Sequence, residues 1–67
     1  MSTHVKQEAD KAEFSKKLKD YRLSHNLSQE ELAKLIGTTV FSVSRWERKK
    51  HYPPKSTLKL MKMLGIL

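Results

Sequence analysis

Apolar side chains recur along this chain at helical spacing in short stretches, each closed by a turn signal. Phe14, Leu18 and Tyr21 stand at i, i+4 and i+7, one face of a 3.6-residue period. Lys16, Lys17, Lys19 and Asp20 fall on the other side, so a first helix is expected from about Ala12 to His25. Asn26 then suits the left-handed position that follows a helix, and Leu27 turns the chain back toward a core. Upstream, residues 1–11 are polar apart from Met1 and Val5 and read as a flexible N-terminal arm, leaving 12–67 as the folded domain.

Ser28 opens a second helix. With Glu31 it forms a capping box, in which the serine oxygen accepts from the Glu31 N–H and the glutamate reaches back. Leu32, Leu35 and Ile36 make its expected buried stripe, Ala33 leaves room for a neighbouring helix, and Gly37 permits a sharp left-handed stop. The hydroxyls of Thr38 and Thr39 are candidate caps for a third helix over about 39–48. Residues 49–54 form a loop, because neither Pro53 nor Pro54 fits a helix interior. A fourth helix from about Lys55 to Leu64 should bury Leu60, Met61 and Leu64, with Thr57, Leu58 or Met63 partly covered, before Gly65 ends it.

At about 100° per residue, Val43 and Trp46 of the third helix lie within about 60° of each other and face the core. Phe41, Arg45 and Arg48 collect on the opposite side, flanked by Val40 and Ser44. An exposed phenylalanine beside two arginines is an odd solvated surface, but it suits the major groove of DNA. There Arg donates bidentately to guanine O6 and N7, and an apolar side chain packs on a thymine methyl. The competing reading puts Phe41 in the core of a slightly rotated helix. Glu47, at the rim of the buried stripe, calls for a cation, and Arg22 beside the Phe14/Leu18/Tyr21 face is the natural one.

Charge agrees with a polyanionic partner without demanding it. Fourteen Lys and Arg stand against seven acids, a net +7 in 67 residues. The arm is nearly neutral, and the excess lies in Lys16, Lys17, Lys19, Arg22, Arg45, Arg48, Lys49, Lys50, Lys55, Lys59 and Lys62. Such a surface equally serves solubility. There is no cysteine, so neither a disulfide framework nor a thiolate metal site is available. His4, His25 and His51 are scattered, and no His/Asp/Glu group has ligand or acid–base spacing, which argues against a metal, a cofactor and an enzyme. No apolar run reaches the roughly 18 residues of a membrane span, and no signal-peptide core is present, so a cytoplasmic protein is expected.

Leu18, Arg22, Leu27-Ser28-Gln29, Leu32-Ala33, Leu35, Gly37, Val43-Ser44, Trp46-Glu47, Pro54 and Leu64-Gly65 stand in the register of the Cro/C1-type, or phage-repressor and Xre-like, helix-turn-helix family. The chain resembles that family from about Leu18 to Leu64. The resemblance implies an all-α, compact lambda-repressor-like domain of four helices, or five. It implies double-stranded DNA as partner, read in the major groove by the helix at 39–48. Matched position by position, Thr39, Val40, Phe41 and Arg45 face base edges, with Ser42 a near candidate. Gln29, Arg48, Lys49 and Lys50 meet backbone phosphate, and Arg22 with Glu47 forms the interhelix ion pair. One departure is plain: where the family carries a turn glycine this chain has Lys49, so either the helix runs on or Lys49 takes a strained left-handed conformation. A fifth helix that dimerises many relatives is not carried over.

These readings predict a sequence-specific DNA-binding transcriptional regulator, a repressor acting by occlusion, with homodimerisation an open expectation. The alternative is an antitoxin or adaptor module that uses the same fold to hold a protein, anchored by Phe41 and the Ile66-Leu67 end, the last part of an exposed, sticky Leu-Gly-Ile-Leu patch at 64–67.

Overall fold

In a computed structural model, the backbone of residues 3–67 and the side chains of residues 11–67 are described. The side chains of His4 and Val5, and the charge balance expected of the N-terminal arm, lie outside them. Four helices follow in order: α1 (Thr3–Ser24), α2 (Gln29–Leu35), α3 (Val40–Glu47) and α4 (Lys55–Met63). No strand occurs among the described residues.

Helix α1 begins at Thr3, well upstream of the start at Ala12 that apolar periodicity suggests. Residues 3–11 are rich in Lys, Gln, Glu and Ala. Good helix formers extend an existing helix at one backbone bond per residue, with no apolar stripe required. At about 1.5 Å per residue the 22-residue helix is roughly 33 Å long, which sets the long axis of a molecule measuring 38 × 20 × 20 Å.

The core is built from Phe14 and Leu18 of α1, Leu32, Ala33 and Ile36 at α2, Val43 and Trp46 of α3, Met61 of α4, and Ile66. Tyr21, Leu27, Leu58, Leu60, Leu64 and Leu67 pack around it, partly buried. Phe14 meets Trp46 and Tyr52 edge to face at centroid distances of 6.2 and 5.4 Å. The loop carrying Tyr52 is pinned by the buried Pro53.

Three expectations change. Leu35 is 46% exposed, not part of the buried stripe. The buried arc of α2 runs through Leu32, Ile36 and Ala33, at about 0°, 40° and 100°, and Leu35 falls outside it at about −60°. Met63 is 76% exposed, while Leu60 and Leu64 are half-buried, because α4 turns Met61 rather than its flanks to the core. The end at 64–67 is not an exposed sticky patch: Ile66 is buried, with Leu64 and Leu67 partly covered.

The chain stops all four helices in one way. Asn26, Gly37, Lys49 and Gly65 have φ of 56°, 71°, 63° and 83°. Each follows a helix and closes a Schellman pair: Leu27 N–H to Arg22 O, Thr38 N–H to Ala33 O, Lys50 N–H to Arg45 O, and Ile66 N–H to Met61 O, at 2.8–3.0 Å. The last of these folds Ile66 under α4 onto the core. Glycine and asparagine take this conformation easily, whereas lysine does not. Of the two conformations open to Lys49, it adopts the left-handed one.

Candidate nucleic-acid interface

The turn between α2 and α3 is fixed by local chemistry. Ser28 Oγ accepts from Glu31 N–H at 3.0 Å, and Glu31 Oε1 accepts from Ser28 N–H at 2.8 Å, so the capping box is complete. The left-handed Gly37 ends the helix, and a Cβ there would meet nothing within 4 Å; the need for glycine is conformational, not steric. Thr39 caps α3 through Oγ1, which accepts from Ser42 N–H and donates to Ser42 Oγ, both at 3.2 Å.

Helix α3 packs on both α2 and α1. It turns Val43 and Trp46 inward, and Phe41, 73% exposed, outward with Arg45 and Arg48. The rotation read from the sequence is therefore correct, and Phe41 is not a core residue. Among the described residues Arg45 and Arg48 form no ion pair with a carboxylate. Val40, Ser42 and Ser44 are half-buried at the flanks, and Thr39 is exposed at the helix start. The helix that bears this cationic, aromatic face has one acid, Glu47, and it is buried.

Glu47 is held by a clamp. Arg22 Nε donates to Oε2 at 2.6 Å and its Nη2 donates to Oε1 at 3.1 Å, while Nη1 donates to the Leu27 carbonyl at 3.0 Å. The side chains are 16% and 3% exposed, so this is a bidentate pair largely removed from water. The Gln29 amide also donates to Glu47 Oε1, at 3.1 Å. Gln29, expected at phosphate, is thus tied first to α3. Ser15 completes the clamp: its buried hydroxyl donates to the Glu47 backbone carbonyl at 2.7 Å. That carbonyl sits in the last turn of α3 and has no acceptor role within the helix, so α1 supplies its partner. Sequence reading missed Ser15. The available signal was a small polar residue beside the Phe14/Leu18 stripe, where helices approach closely.

Basic residues follow α3 into the turn. Arg48, Lys49, Lys50 and His51 are exposed in sequence order across the turn. On α1, by contrast, Lys16 and Lys17 are engaged with Asp20 and Glu13 at 2.9 and 3.5 Å. The hydrogen bond from Lys16 to Asp20, with their mutual attraction, raises the lysine pKa above its ordinary value. Among the described residues no group of three or more His, Cys, Asp or Glu is placed to hold a metal ion. None of the described helices is long and apolar enough to cross a membrane.

The helix-turn-helix family model matches residues 18–61, well over half of the chain. Over 47 residues the sequence is 40% identical to the HTH-type transcriptional activator BcrR of Enterococcus faecalis, covering 70% of this chain and 23% of that protein. Over 51 residues it is 41% identical to an uncharacterized HTH-type transcriptional regulator of Methanocaldococcus jannaschii, covering 75% of this chain and 77% of that one. The chain thus spans about a quarter of the activator's length and most of the archaeal regulator's. No solved structure matches it.

Proposed function

The chain belongs to the helix-turn-helix family, and from that premise we propose that it is a sequence-specific repressor whose α3 enters the major groove. It is a DNA-binding transcriptional regulator, not an enzyme. The observation that carries the finer reading is the outward face of α3, where Phe41, Arg45 and Arg48 stand exposed on a rod fixed from behind by Val43, Trp46 and the Glu47 clamp. Burying Glu47 against Arg22 removes the one acid that would repel phosphate from this helix.

In this reading Thr39, Val40, Phe41, Ser42 and Arg45 face base edges, with Arg45 donating to guanine. Thr39 and Ser42 are partly committed to capping α3, so Phe41 and Arg45 contribute most of the discrimination. Arg48, Lys49 and Lys50 meet phosphate. Gln29 joins them with its second amide N–H, the first being held by Glu47. Phosphate contacts supply most of the affinity, and base contacts the preference. Repression follows by occlusion, in the cytoplasm, with a homodimer placing two copies of α3 about 34–36 Å apart along the duplex. A protein-holding role would use the exposed Phe41, but the Ile66 anchor expected for it is buried in the core.

The test is titration of two variants on matched and scrambled duplexes at several salt concentrations. Arg45→Ala weakens the matched duplex by about 1–3 kcal/mol and leaves the scrambled one nearly unchanged. Lys50→Ala weakens both alike and lowers the salt slope by about one unit. Equal losses on both duplexes for Arg45→Ala would reduce that residue to a phosphate contact.

A further inference from the structure

We infer that Ser15 of α1 is a positioning residue for the phosphate-contacting turn at 48–50: it holds the Glu47 carbonyl and thereby keeps Lys49 left-handed. The inference rests on the DNA-binding reading above and adds to it a buried residue out of reach of DNA. Ser15 is 2% exposed, and its hydroxyl donates at 2.7 Å to a carbonyl 32 residues away. At that carbonyl the chain either stays helical or leaves α3. Ser15, Lys16 and Lys19 of α1 line one groove with Glu47 and Lys49, so the turn starts directly against α1.

The carbonyls in the last turn of α3 show how the exit is made. Ser44 O accepts from Arg48 N–H, Trp46 O from Lys49 N–H and Arg45 O from Lys50 N–H, at 3.0–3.1 Å. Glu47 O remains, and the main chain leaves it to Ser15. In a longer helix it would accept from the N–H of His51, four residues on. A side chain of α1 thus supplies the bond that continuation would supply. The balance at Lys49 is close, because lysine is disfavoured at a φ of 63°. Without the Ser15 hydroxyl the buried carbonyl lacks a donor, and running α3 on through Lys49 both satisfies it and relieves the strain. Arg48, Lys49 and Lys50 would then spread around a helix instead of across a turn, and no longer meet the same phosphates. The plainer role for Ser15 is to satisfy a buried acceptor and nothing more. That role costs stability alone, whereas control of the turn also changes the number of phosphates contacted.

The test uses Ser15→Ala, a substitution that changes no charge, in the wild type and in the Lys49→Gly background. All four proteins are titrated on matched and scrambled duplexes over a range of salt, at a temperature where calorimetry shows each of them folded. The φ at residue 49 is read in the free proteins from backbone scalar couplings and carbon shifts by NMR. In the wild type, Ser15→Ala should lower the salt slope by about one unit on both duplexes, the share of one phosphate. The ratio between the duplexes should stay the same, and residue 49 should leave the left-handed region. In the Lys49→Gly background Ser15→Ala should change neither slope nor φ, because glycine takes that conformation unaided. A Ser15→Ala protein with a lower Tm but an unchanged slope and φ overturns the inference and leaves Ser15 a stability role alone. An equal drop in slope in the Lys49→Gly background overturns it too, since Ser15 would then act by another route than the Lys49 turn. A wild type that binds no duplex removes the parent reading and the phosphate role with it, while the φ of residue 49 still decides whether Ser15 sets the turn.

Discussion

Replacing Lys49 with glycine should make the protein more stable and a weaker DNA binder. Lys49 has φ of 63°, where a side chain crowds its own backbone by roughly 1–2 kcal/mol. Glycine removes that crowding but leaves a more disordered unfolded chain, which takes back about 0.5–1 kcal/mol. The net gain is about 0–1.5 kcal/mol, centred near 0.75. For a domain of this size, the central figure raises Tm by about 3–6 °C. The hydrogen bonds from Lys49 N–H to Trp46 O and from Lys50 N–H to Arg45 O are backbone bonds and survive the change. On the binding side, one cation next to Arg48 and Lys50 is lost, so affinity should fall on every duplex and the salt slope should drop by about one unit. Lys49→Ala separates the two effects: it loses the same charge but keeps a Cβ, so binding weakens with no gain in Tm. Calorimetry and salt-dependent titration of both variants measure each arm. A Lys49→Gly protein with unchanged or lower Tm would show that α3 continues past Arg48 in solution and that no strain is stored at Lys49.

Other perturbations follow from the clamp and from α1. Glu47→Ala strands a guanidinium that is 16% exposed and keeps only the Leu27 carbonyl, and should lose about 2–4 kcal/mol in chemical denaturation. The double change Arg22→Met/Glu47→Leu should recover part of that loss, and a neutral Glu47→Ala would remove the pair from the account of stability. Ser15→Ala leaves the buried Glu47 carbonyl without its donor and should lose about 1–3 kcal/mol; an unchanged Tm would mean that water takes its place. Deleting residues 1–10 spares every core side chain from Phe14 onward and should leave Tm and DNA affinity nearly unchanged; a marked loss of either would assign the start of α1 a role in the core or in the groove.

Much of the helix-turn-helix unit is legible in the sequence because short-range chemistry builds it. The Ser28/Glu31 box, the left-handed Asn26 and Gly37, the Thr39 cap and the Val43/Trp46 stripe each involve residues within one or two turns. Even the longer reach from Arg22 to Glu47 was foreseeable, because an acid at the rim of a buried stripe requires a cation. Ser15 was not foreseeable on those grounds. Its partner is a backbone carbonyl 32 residues away, and carbonyls leave no trace in a side-chain pattern.

By itself the sequence determined where three of the helices begin and end, which side of α3 carries Phe41 and Arg45, and the cationic balance that suits a polyanion. Tertiary structure decided the rest. Periodicity gives a helix's apolar arc, but only a neighbour fixes which part of that arc is covered; Leu35 is therefore exposed although it belongs to the pattern, and Met61 is favoured over Leu60 and Leu64. The left-handed Gly65 sends Ile66 back under α4 onto a core assembled from all four helices, and no local signal distinguishes that from an exposed apolar end. Lys49 shows the same division. Its sequence leaves two backbone paths open, and the packing of α3 against α1 and α2, with the chain having to return to α4 through Pro53, selects the strained one.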